Sequence, residues 1–257
     1  MHPILIEIWK LKIYSYGFML ALSFFFGILL AGLRAEKRQV SPGLIYDLSI
    51  IIVISAIIGS RGLYILTHLD HYQGVLDIVA LWQGGATYYG GLVLAVISSG
   101  IYLRAKKASF LQVADIIAPS IGLGIMLTRI GCFLSGCCFG EPTSCAVGMV
   151  FPGEAPAGYI FPGVHIHPTQ LYSSLYGLII FAVLILIDRK KRQPPGFLFG
   201  VLCVLYAVAR FLVDFVRYYE DSAIVAGGLT DNQLISIGLL LLGIFLIWFS
   251  RARAEKA

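Results

Sequence analysis

Three charged residues recur at helical spacing inside an apolar segment of the chain. In the stretch LYAVARFLVDFVRYY, Arg210, Asp214 and Arg217 stand at positions i, i+4 and i+7, which share one face of a helix. A guanidinium binds phosphate through two parallel hydrogen bonds, and a carboxylate between two guanidiniums would hold their orientation. The pattern indicates a phosphate or phospholipid-headgroup site. The alternative is an ion-pair ladder that packs helices together.

Two further arginines interrupt apolar segments. Arg129 follows a long apolar run and opens the stretch RIGCFLSGCCFG, whereas Arg61 stands between small residues in GSRGLY. An arginine at the middle of a bilayer costs at least about 2.5–3.5 kcal/mol on insertion scales. Several such arginines indicate an anionic ligand, and the alternative is that they pair with Asp115, Asp214 or backbone carbonyls or extend to the headgroups. Because small residues let helices approach closely, we expect Arg61 to face the interior of a helix bundle. A second anion contact and an internal brace are both open for it.

Four cysteines follow Arg129 within a short segment. They are Cys132, Cys137, Cys138 and Cys145. They can form a disulfide outside the cytoplasm, hold a soft metal together with a histidine, or pack as small side chains near backbone turns. Their spacing matches no common zinc motif, so we predict no metal and no cofactor. Their redox state stays open.

Two segments place polar side chains at the start of apolar runs. The stretch WQGGATYYGGL sets Tyr89 between glycine pairs, where it belongs either to a functional site or to an aromatic belt at the membrane surface. In HIHPTQLY, His167 precedes a helix for which Pro168 suits the first turn. His167 is a candidate proton carrier, and the alternative is a histidine that fastens the loop to the backbone.

The elements that must position these residues are membrane spans. The chain has 257 residues, of which 58% are apolar and 13% charged, whereas soluble domains carry about 25% charged residues. A spanning helix needs about 20 mostly apolar residues. The sequence therefore predicts an all-α membrane protein, a single domain over residues 1–257. Its seven predicted transmembrane helices cover residues 16–33, 48–66, 88–103, 113–127, 171–187, 197–216 and 234–249.

The distribution of basic residues predicts the orientation. Seven spans place 13 of the 19 Lys and Arg residues in loops or a tail on one side, and the positive-inside rule makes that side cytoplasmic. The N-terminus is then outside and the C-terminus cytoplasmic. Residues 132–170 would form a small periplasmic head. Since topology explains the basic excess, we predict no nucleic-acid partner.

Taken in chain order, the motifs of this sequence resemble those of the bacterial prolipoprotein diacylglyceryl transferase family. They are HPILIEI, YSYGFM, GSRGLY, YYGGL, DIIAP, RIGCFLSGCCFG, HPTQLY and ARFLVDFVR, and they cover nearly the whole chain. The resemblance implies a multi-pass enzyme of the bacterial inner membrane with its active site toward the periplasm. It implies transfer of a diacylglyceryl group from phosphatidylglycerol to the lipobox cysteine of preprolipoproteins, carried in signal peptides. A thioether would form and glycerol phosphate would leave.

The resemblance also assigns roles to residues. It implies that Arg129 and Arg210 hold the phosphate, with Tyr89 beside them as a catalytic candidate. The candidate substrate-binding residues are Tyr16, Arg61, Gly131, Gly136, Gly140, His167, Tyr206, Asp214 and Arg217. The glycines would let backbone amides and helix ends approach the lipid.

Three positions depart from the family pattern. Tyr89 stands where the family often has a histidine proposed as the base, and Cys132 and Cys137 stand where well-known members have asparagine and glutamate. These departures leave the general base open. They keep alternatives in place: a paralogue with another lipid or acceptor, or a non-catalytic metal- or lipid-binding membrane protein.

Overall fold

A computed structural model describes residues 2–9, 11–68, 87–190, 193–219 and 228–255, which are almost entirely helical. A short antiparallel hairpin of β1 (Ile4–Ile8) and β2 (Leu11–Tyr14) precedes the helices. The helices are α1 (Ser15–Lys37), α2 (Pro42–Thr67), α3 (Tyr88–Ala105), α4 (Phe110–Ser135), α5 (Pro156–Ile160), α6 (Thr169–Lys190), α7 (Phe197–Asp214) and α8 (Asp231–Glu255).

Within the described ranges, six helices are long and apolar enough to cross a bilayer. These are α1, α2, α4, α6, α7 and α8, whereas α3 contributes a shorter apolar helix over Tyr89–Ala105. Large apolar side chains such as Phe25, Leu241 and Trp248 are more than half exposed, which suits a surface solvated by lipid rather than water. The predicted all-helical membrane class is confirmed, while the count of seven crossings stays a prediction.

Two helix ends differ from the sequence-based boundaries. Helix α4 continues to Ser135, so Arg129 and Cys132 lie in its last turns rather than after it. Helix α7 stops at Asp214, and the predicted helical stripe does not extend to Arg217. The reason is a competing backbone pairing: the amide of Glu141 donates to the carbonyl of Val216 at 3.0 Å, which draws the chain out of the helix.

The described chain divides into two compact units, Gly32–Val113 and a unit made of Met1–Ala31 with Ala114–Ala257. In the first, α2 and α3 pack backbone to backbone through glycines. A Cβ added to Gly90 would collide with the carbonyl of Gly59, and one on Gly91 would lie 2.9 Å from the carbonyl oxygen of Ala56. Arg61 is buried in this unit, 7% exposed, as the flanking small residues predicted.

In the larger unit, Asp115 sets α4 and α7 in register. Its carboxylate accepts hydrogen bonds from the amides of Gly196, at 2.9 Å, and Phe199, at 2.8 Å, at the start of α7. A buried carboxylate at a helix N-terminus satisfies free amides and the helix dipole. Arg129 lies about 21 Å of helix beyond Asp115 on α4, and Arg210 lies about 21 Å beyond Gly196 along α7. Asp115 thus has a structural role, and both arginines lie at the same distance along their helices from this junction.

The segment between α4 and α6, residues 136–168, folds over its own small core. Phe139, Phe151, Ala157 and Ile166 are buried together. Isolated bridges join Met149 and Pro142 to Ile166. This head segment, as we name residues 136–168, therefore has fixed positions for its backbone groups despite little regular structure.

Candidate active site

Arg210 and Asp214 lie one helical turn apart at the end of α7 and form a buried ion pair. Arg210 Nη2 is 3.1 Å from Asp214 Oδ1, and their side chains are 8% and 0% exposed. The Tyr219 hydroxyl joins both, because it accepts from Arg210 Nη2 at 2.6 Å and donates to Asp214 Oδ1 at 2.5 Å. A planar guanidinium held at one edge in this way cannot rotate freely.

The start of α8 completes this network. Thr230 and Gln233 form a capping box: the Thr230 amide donates to Gln233 Oε1 at 3.0 Å, and the Gln233 amide donates to Thr230 Oγ1 at 3.1 Å. The same Thr230 hydroxyl donates to Asp214 Oδ2, and Asn232 Nδ2 donates to the Tyr219 oxygen at 3.3 Å. Both oxygens of Asp214 are therefore engaged, so this carboxylate orients Arg210 rather than acting as a free base.

Two buried polar atoms near this network have no hydrogen-bond partner among the described residues. They are Arg210 Nη1 and the Tyr176 hydroxyl. Buried polar groups are almost always satisfied, so such atoms call for an explanation. Within the described chain, one half of the Arg210 fork, Nη2, is bound by protein, and the other half, Nη1, is not.

Arg129 belongs to the same site. The hydroxyls of Tyr176 and Tyr206 interact electrostatically with both Arg129 and Arg210, and their rings pack edge to face with centroids 6.1 Å apart. No described carboxylate forms an ion pair with Arg129, unlike Arg210. The guanidiniums of Arg129 and Arg210 therefore both lie near the same two tyrosines. Among the described residues, Asp214 is the one carboxylate that forms an ion pair with either of them.

Arg129 also interacts electrostatically with Cys132 and Cys138, two of three neighbouring thiols at and just after the end of α4. The sulfur atoms of Cys132, Cys137 and Cys138, here called the cysteine trio, all lie within 4.8 Å of one another, and all are free thiols. Hydrogen bonds from the Cys132 and Cys137 thiols, aided by the charges of Arg217 and Arg129, lower the pKa of Cys138. The same thiol contacts raise the pKa of Cys137.

A strained turn brings the cysteine trio together. Gly136 and Cys138 have φ values of 70° and 61°, a left-handed conformation that costs a non-glycine residue roughly 1–2 kcal/mol. The Cys137 amide bonds back to the Cys132 carbonyl at 3.2 Å. From α6, Thr169 and Gln170 donate to the carbonyls of Cys138 and Cys137, each at 2.8 Å. The turn is thus clamped from both sides.

Gly140 lies where three backbone segments meet. Its amide donates to the His167 carbonyl at 3.0 Å, and it bridges Arg217 in antiparallel pairing. A Cβ there would lie 2.5 Å from the Val216 carbonyl oxygen and 2.7 Å from that of His167. Gly140 therefore connects the turn of the cysteine trio to the segment after α7.

Alanine at position 140 is expected to be destabilising. Because the colliding atoms are backbone atoms that cannot rotate away, we expect Gly140→Ala to cost about 1–3 kcal/mol, the range seen for overpacking, and to lower the Tm of the detergent-purified protein. Gly153→Ala is the matched control, since a Cβ on Gly153 meets nothing within 4 Å. Equal Tm values for the two variants would contradict the close backbone crossing.

Removal of the Tyr219 hydroxyl tests the hydrogen-bond network around Arg210 while the Arg210–Asp214 ion pair stays in place. Burial, together with the hydrogen bond to Asp214, raises the pKa of Tyr219 to about 12, so the phenol stays protonated at pH 7–9. Tyr219→Phe keeps the direct Arg210–Asp214 pair but loses the three hydrogen bonds of the hydroxyl, of which the one from Arg210 Nη2 orients the guanidinium. We expect an about tenfold slower turnover, the effect of one hydrogen bond of about 1.4 kcal/mol, with an unchanged pH profile over pH 7–9.

Tyr218→Phe is the control for this prediction. Tyr218 stacks on Phe139 with ring centroids 5.5 Å apart, and phenylalanine keeps that contact. Its rate should match that of the native chain. A pH profile that shifts only in Tyr219→Phe would mean that Tyr219 titrates during turnover.

The structure gathers most, but not all, of the predicted site residues into the larger unit. Tyr16, at the start of α1, interacts electrostatically with the cysteine trio and Arg129, and Gly131 packs on Met19, where a Cβ would lie 2.9 Å from the Met19 Cβ. Arg61 and Tyr89 belong to the unit of residues 32–113. Their part in the site stays a prediction.

His167 fastens the head segment. Its amide donates to the Glu141 carbonyl at 3.0 Å, and its Nδ1 is 3.1 Å from the Tyr172 hydroxyl. This geometry favours the loop-fastening alternative over a proton carrier. Gly136, Gly140 and Gly131 likewise contact protein atoms closely, which gives each a packing reason.

Three residues of the site are not among those predicted from the sequence: Tyr176, Tyr219 and Thr230. The TDNQ stretch is a capping-box signature and was a readable signal for Thr230. The two tyrosines carry no such signal, because their partners lie on other helices or beyond a helix end. Only the packing of α6 against α7 and the bend after Asp214 bring them to Arg210.

These features describe a multi-span membrane protein with one buried guanidinium, Arg210, one half-buried guanidinium, Arg129, and the cysteine trio at one end of its helices. The model of the family described as prolipoprotein diacylglyceryl transferase matches residues 3–249. The chain belongs to this family.

Relatives of similar length carry the same enzyme name. A phosphatidylglycerol–prolipoprotein diacylglyceryl transferase of Clostridium tetani is 32% identical over 257 residues, 99% of this chain and 100% of its own. One from Clostridium perfringens, numbered 2, is 32% identical over 262 residues, 100% of this chain and 98% of its own. One from Nostoc sp. is 33% identical over 248 residues, 94% and 87% of the two chains.

Proposed function

We propose that Arg210 and Arg129 hold the phosphate of a phosphatidylglycerol molecule while its diacylglyceryl group passes to the thiol of a prolipoprotein cysteine. The transferase activity itself follows from family membership and from the names of full-length relatives. The observation that carries the assignment of residues is the half-bound fork of Arg210, with Nη1 buried and unpartnered among the described residues beside the Tyr176 hydroxyl.

The chemistry explains why arginines are needed. A sulfur–carbon bond forms as the carbon–oxygen bond to phosphate breaks, and the electron pair leaves with glycerol phosphate. The thiol gives up its proton, which the more basic leaving phosphate can take. Negative charge grows on the phosphate in the transition state, and oriented donors in a buried site stabilise such charge strongly. Asp214, with Tyr219 and Thr230, holds the Arg210 fork in place.

We place this site toward the periplasmic face of a bacterial cytoplasmic membrane. In the larger unit, the site residues stand at the C-terminal ends of α4 and α7 and at the N-terminal end of α1. The basic residues Arg189, Lys190, Arg251 and Arg253 stand at the C-terminal ends of α6 and α8. The positive-inside rule assigns those ends to the cytoplasm, and the lipobox of a translocated signal peptide would meet the other end.

The experiment that tests the function is transfer with purified components. The full chain in detergent is incubated with phosphatidylglycerol and a lipobox peptide, and mass spectrometry follows the peptide. We expect a diacylglyceryl thioether on the cysteine and none on the same peptide with serine in its place. Folded protein that yields no adduct with several acyl compositions and peptides would favour a paralogue with another lipid or acceptor.

A further inference from the structure

We propose that Cys132, Cys137 and Cys138 bind one Zn²⁺ ion through three thiolates, and that the fourth coordination position is open to an external thiolate. The cysteine spacing matches no common zinc motif, so the sequence alone predicts no metal. The structure favours a metal, because the turn after α4 brings the three sulfur atoms together although their spacing in sequence matches no known motif.

The distances suit a metal. Zn–S bonds of about 2.3 Å place tetrahedral ligand sulfurs about 3.8 Å apart, and the three sulfur atoms lie within 4.8 Å of one another. Small side-chain rotations close that difference. No histidine or carboxylate of the described residues joins this group. Three protein ligands with an open fourth position are the arrangement of catalytic rather than structural zinc sites.

The backbone holds the ligands before any metal arrives. Cys138 keeps a left-handed conformation with φ 61°, and strain of this kind persists where the surroundings fix it, often at ligand-binding turns. Thr169 and Gln170 fix the two loop carbonyls, while Cys132 is anchored in α4 and only 4% exposed. Such a rigid support is what a metal site needs.

The charges are favourable once a cation is present. Three thiolates packed together would repel one another strongly, whereas Zn²⁺ leaves a single excess negative charge. Arg217 and Arg129 interact electrostatically with Cys138 and can balance that charge. A metal therefore explains both the close approach of the thiols and the guanidiniums beside them.

The open position has a use that rests on the proposed function. The acceptor reacts as a thiolate, yet Asp214 is saturated by hydrogen bonds and Tyr219 has a pKa of about 12. A thiol that coordinates Zn²⁺ loses its proton on binding, because the cation favours the charged form, and the proton is released to water before the leaving phosphate forms. The zinc-bound acceptor sulfur would then attack the lipid carbon while the phosphate departs toward Arg210 and Arg129.

Metal analysis of the full-length chain, purified in detergent without chelator, tests the site. We expect about one zinc per chain by mass spectrometry, and a cobalt-exchanged form with a thiolate-to-metal charge-transfer band. Cys132→Ser and Cys138→Ser should lose both signals. Cys203→Ser is the matched control, a buried cysteine in α7 outside the trio, and should keep them. Elution volume and Tm check that each variant is folded.

Two results would overturn the metal site. One is native protein that takes up no zinc or cobalt while alkylation after denaturation counts every thiol as free. The other is a disulfide within the trio of freshly purified protein. Should Cys132→Ser misfold, Cys138→Ser, at the half-buried end of the trio, provides the same reading.

The open position is tested by adding the lipobox peptide to the cobalt form. We expect a spectral shift with the cysteine peptide and none with its serine counterpart, and no shift with either would refute acceptor binding at the metal. The two hypotheses separate cleanly. Transfer by a metal-free enzyme refutes the zinc site and leaves the function standing, whereas bound zinc without transfer refutes the function and supports the site.

Discussion

Replacement of Arg210 by alanine is expected to abolish transfer, with a loss of at least about 10²–10³-fold, the effect of removing a donor to developing charge. One edge of its guanidinium binds Asp214 and Tyr219, and Nη1 faces away from them without a partner in the described chain. Alanine also leaves the buried Asp214 carboxylate without its cation, so we expect a lower Tm as well.

Arg210→Lys separates the two effects. Lysine keeps a positive charge near Asp214 and should recover much of the Tm, but one ammonium cannot make the two-sided contact of a planar fork. We expect at least about tenfold slower transfer from Arg210→Lys, measured as initial rates of peptide modification. Arg253→Ala, an exposed arginine near the end of α8, should be unaffected. Native rates in both Arg210 variants would reduce Arg210 to an ion pair that packs helices.

Replacement of Arg129 by alanine is expected to give a different signature. No described carboxylate pairs with Arg129, so its removal leaves no carboxylate without its cation. Arg129 is half-buried, and partial removal of an unpaired cation from water is itself costly. We therefore expect an unchanged or higher Tm together with a transfer rate reduced about 10²-fold, as for a lost phosphate contact. Stability and activity would then move in opposite directions for Arg129→Ala and together for Arg210→Ala.

Titration with phosphatidylglycerol sharpens the Arg129 test. If Arg129 contacts the phosphate, the variant needs more lipid to reach half-maximal rate, and Arg129→Lys recovers part of the loss. A variant with a native rate and a lower Tm would show instead that Arg129 only supports the turn of the cysteine trio. Arg253→Ala again reports whether loss of a positive charge by itself affects lipid use.

The membrane class and the family were readable from the sequence for different reasons. A helix in lipid must be long and apolar, so membrane spans can be recognised from runs of apolar residues. In the structure, six of the described helices are long and apolar enough to cross a bilayer. The motifs that carried the resemblance are local strings of residues. Arg210 and Asp214 could also be paired from sequence, because i and i+4 always meet on a helix.

The extent of α7 could not be read from its own residues. LVDFVRYY continues the apolar pattern, so the sequence predicts a span to residue 216 and a helical stripe that reaches Arg217. The backbone of Val216 instead pairs with Glu141, about 75 residues earlier in the chain. Hydrogen bonds with a distant segment outweighed local propensity there, and the same bend brings Tyr219 back to Arg210.

The residues alone predict the helices and the chemistry of single side chains: apolar spans, guanidiniums within them, and cysteines at the end of one. Which of these groups meet depends on how the helices pack and where the chain turns. The hydrogen bonds from the start of α7 to Asp115 set Arg129 and Arg210 at the same distance along their helices. The left-handed turn at Gly136 and Cys138 brings the three cysteines of the trio together. Periodicity encodes neighbours within a helix, whereas long-range packing and backbone strain fix neighbours between helices.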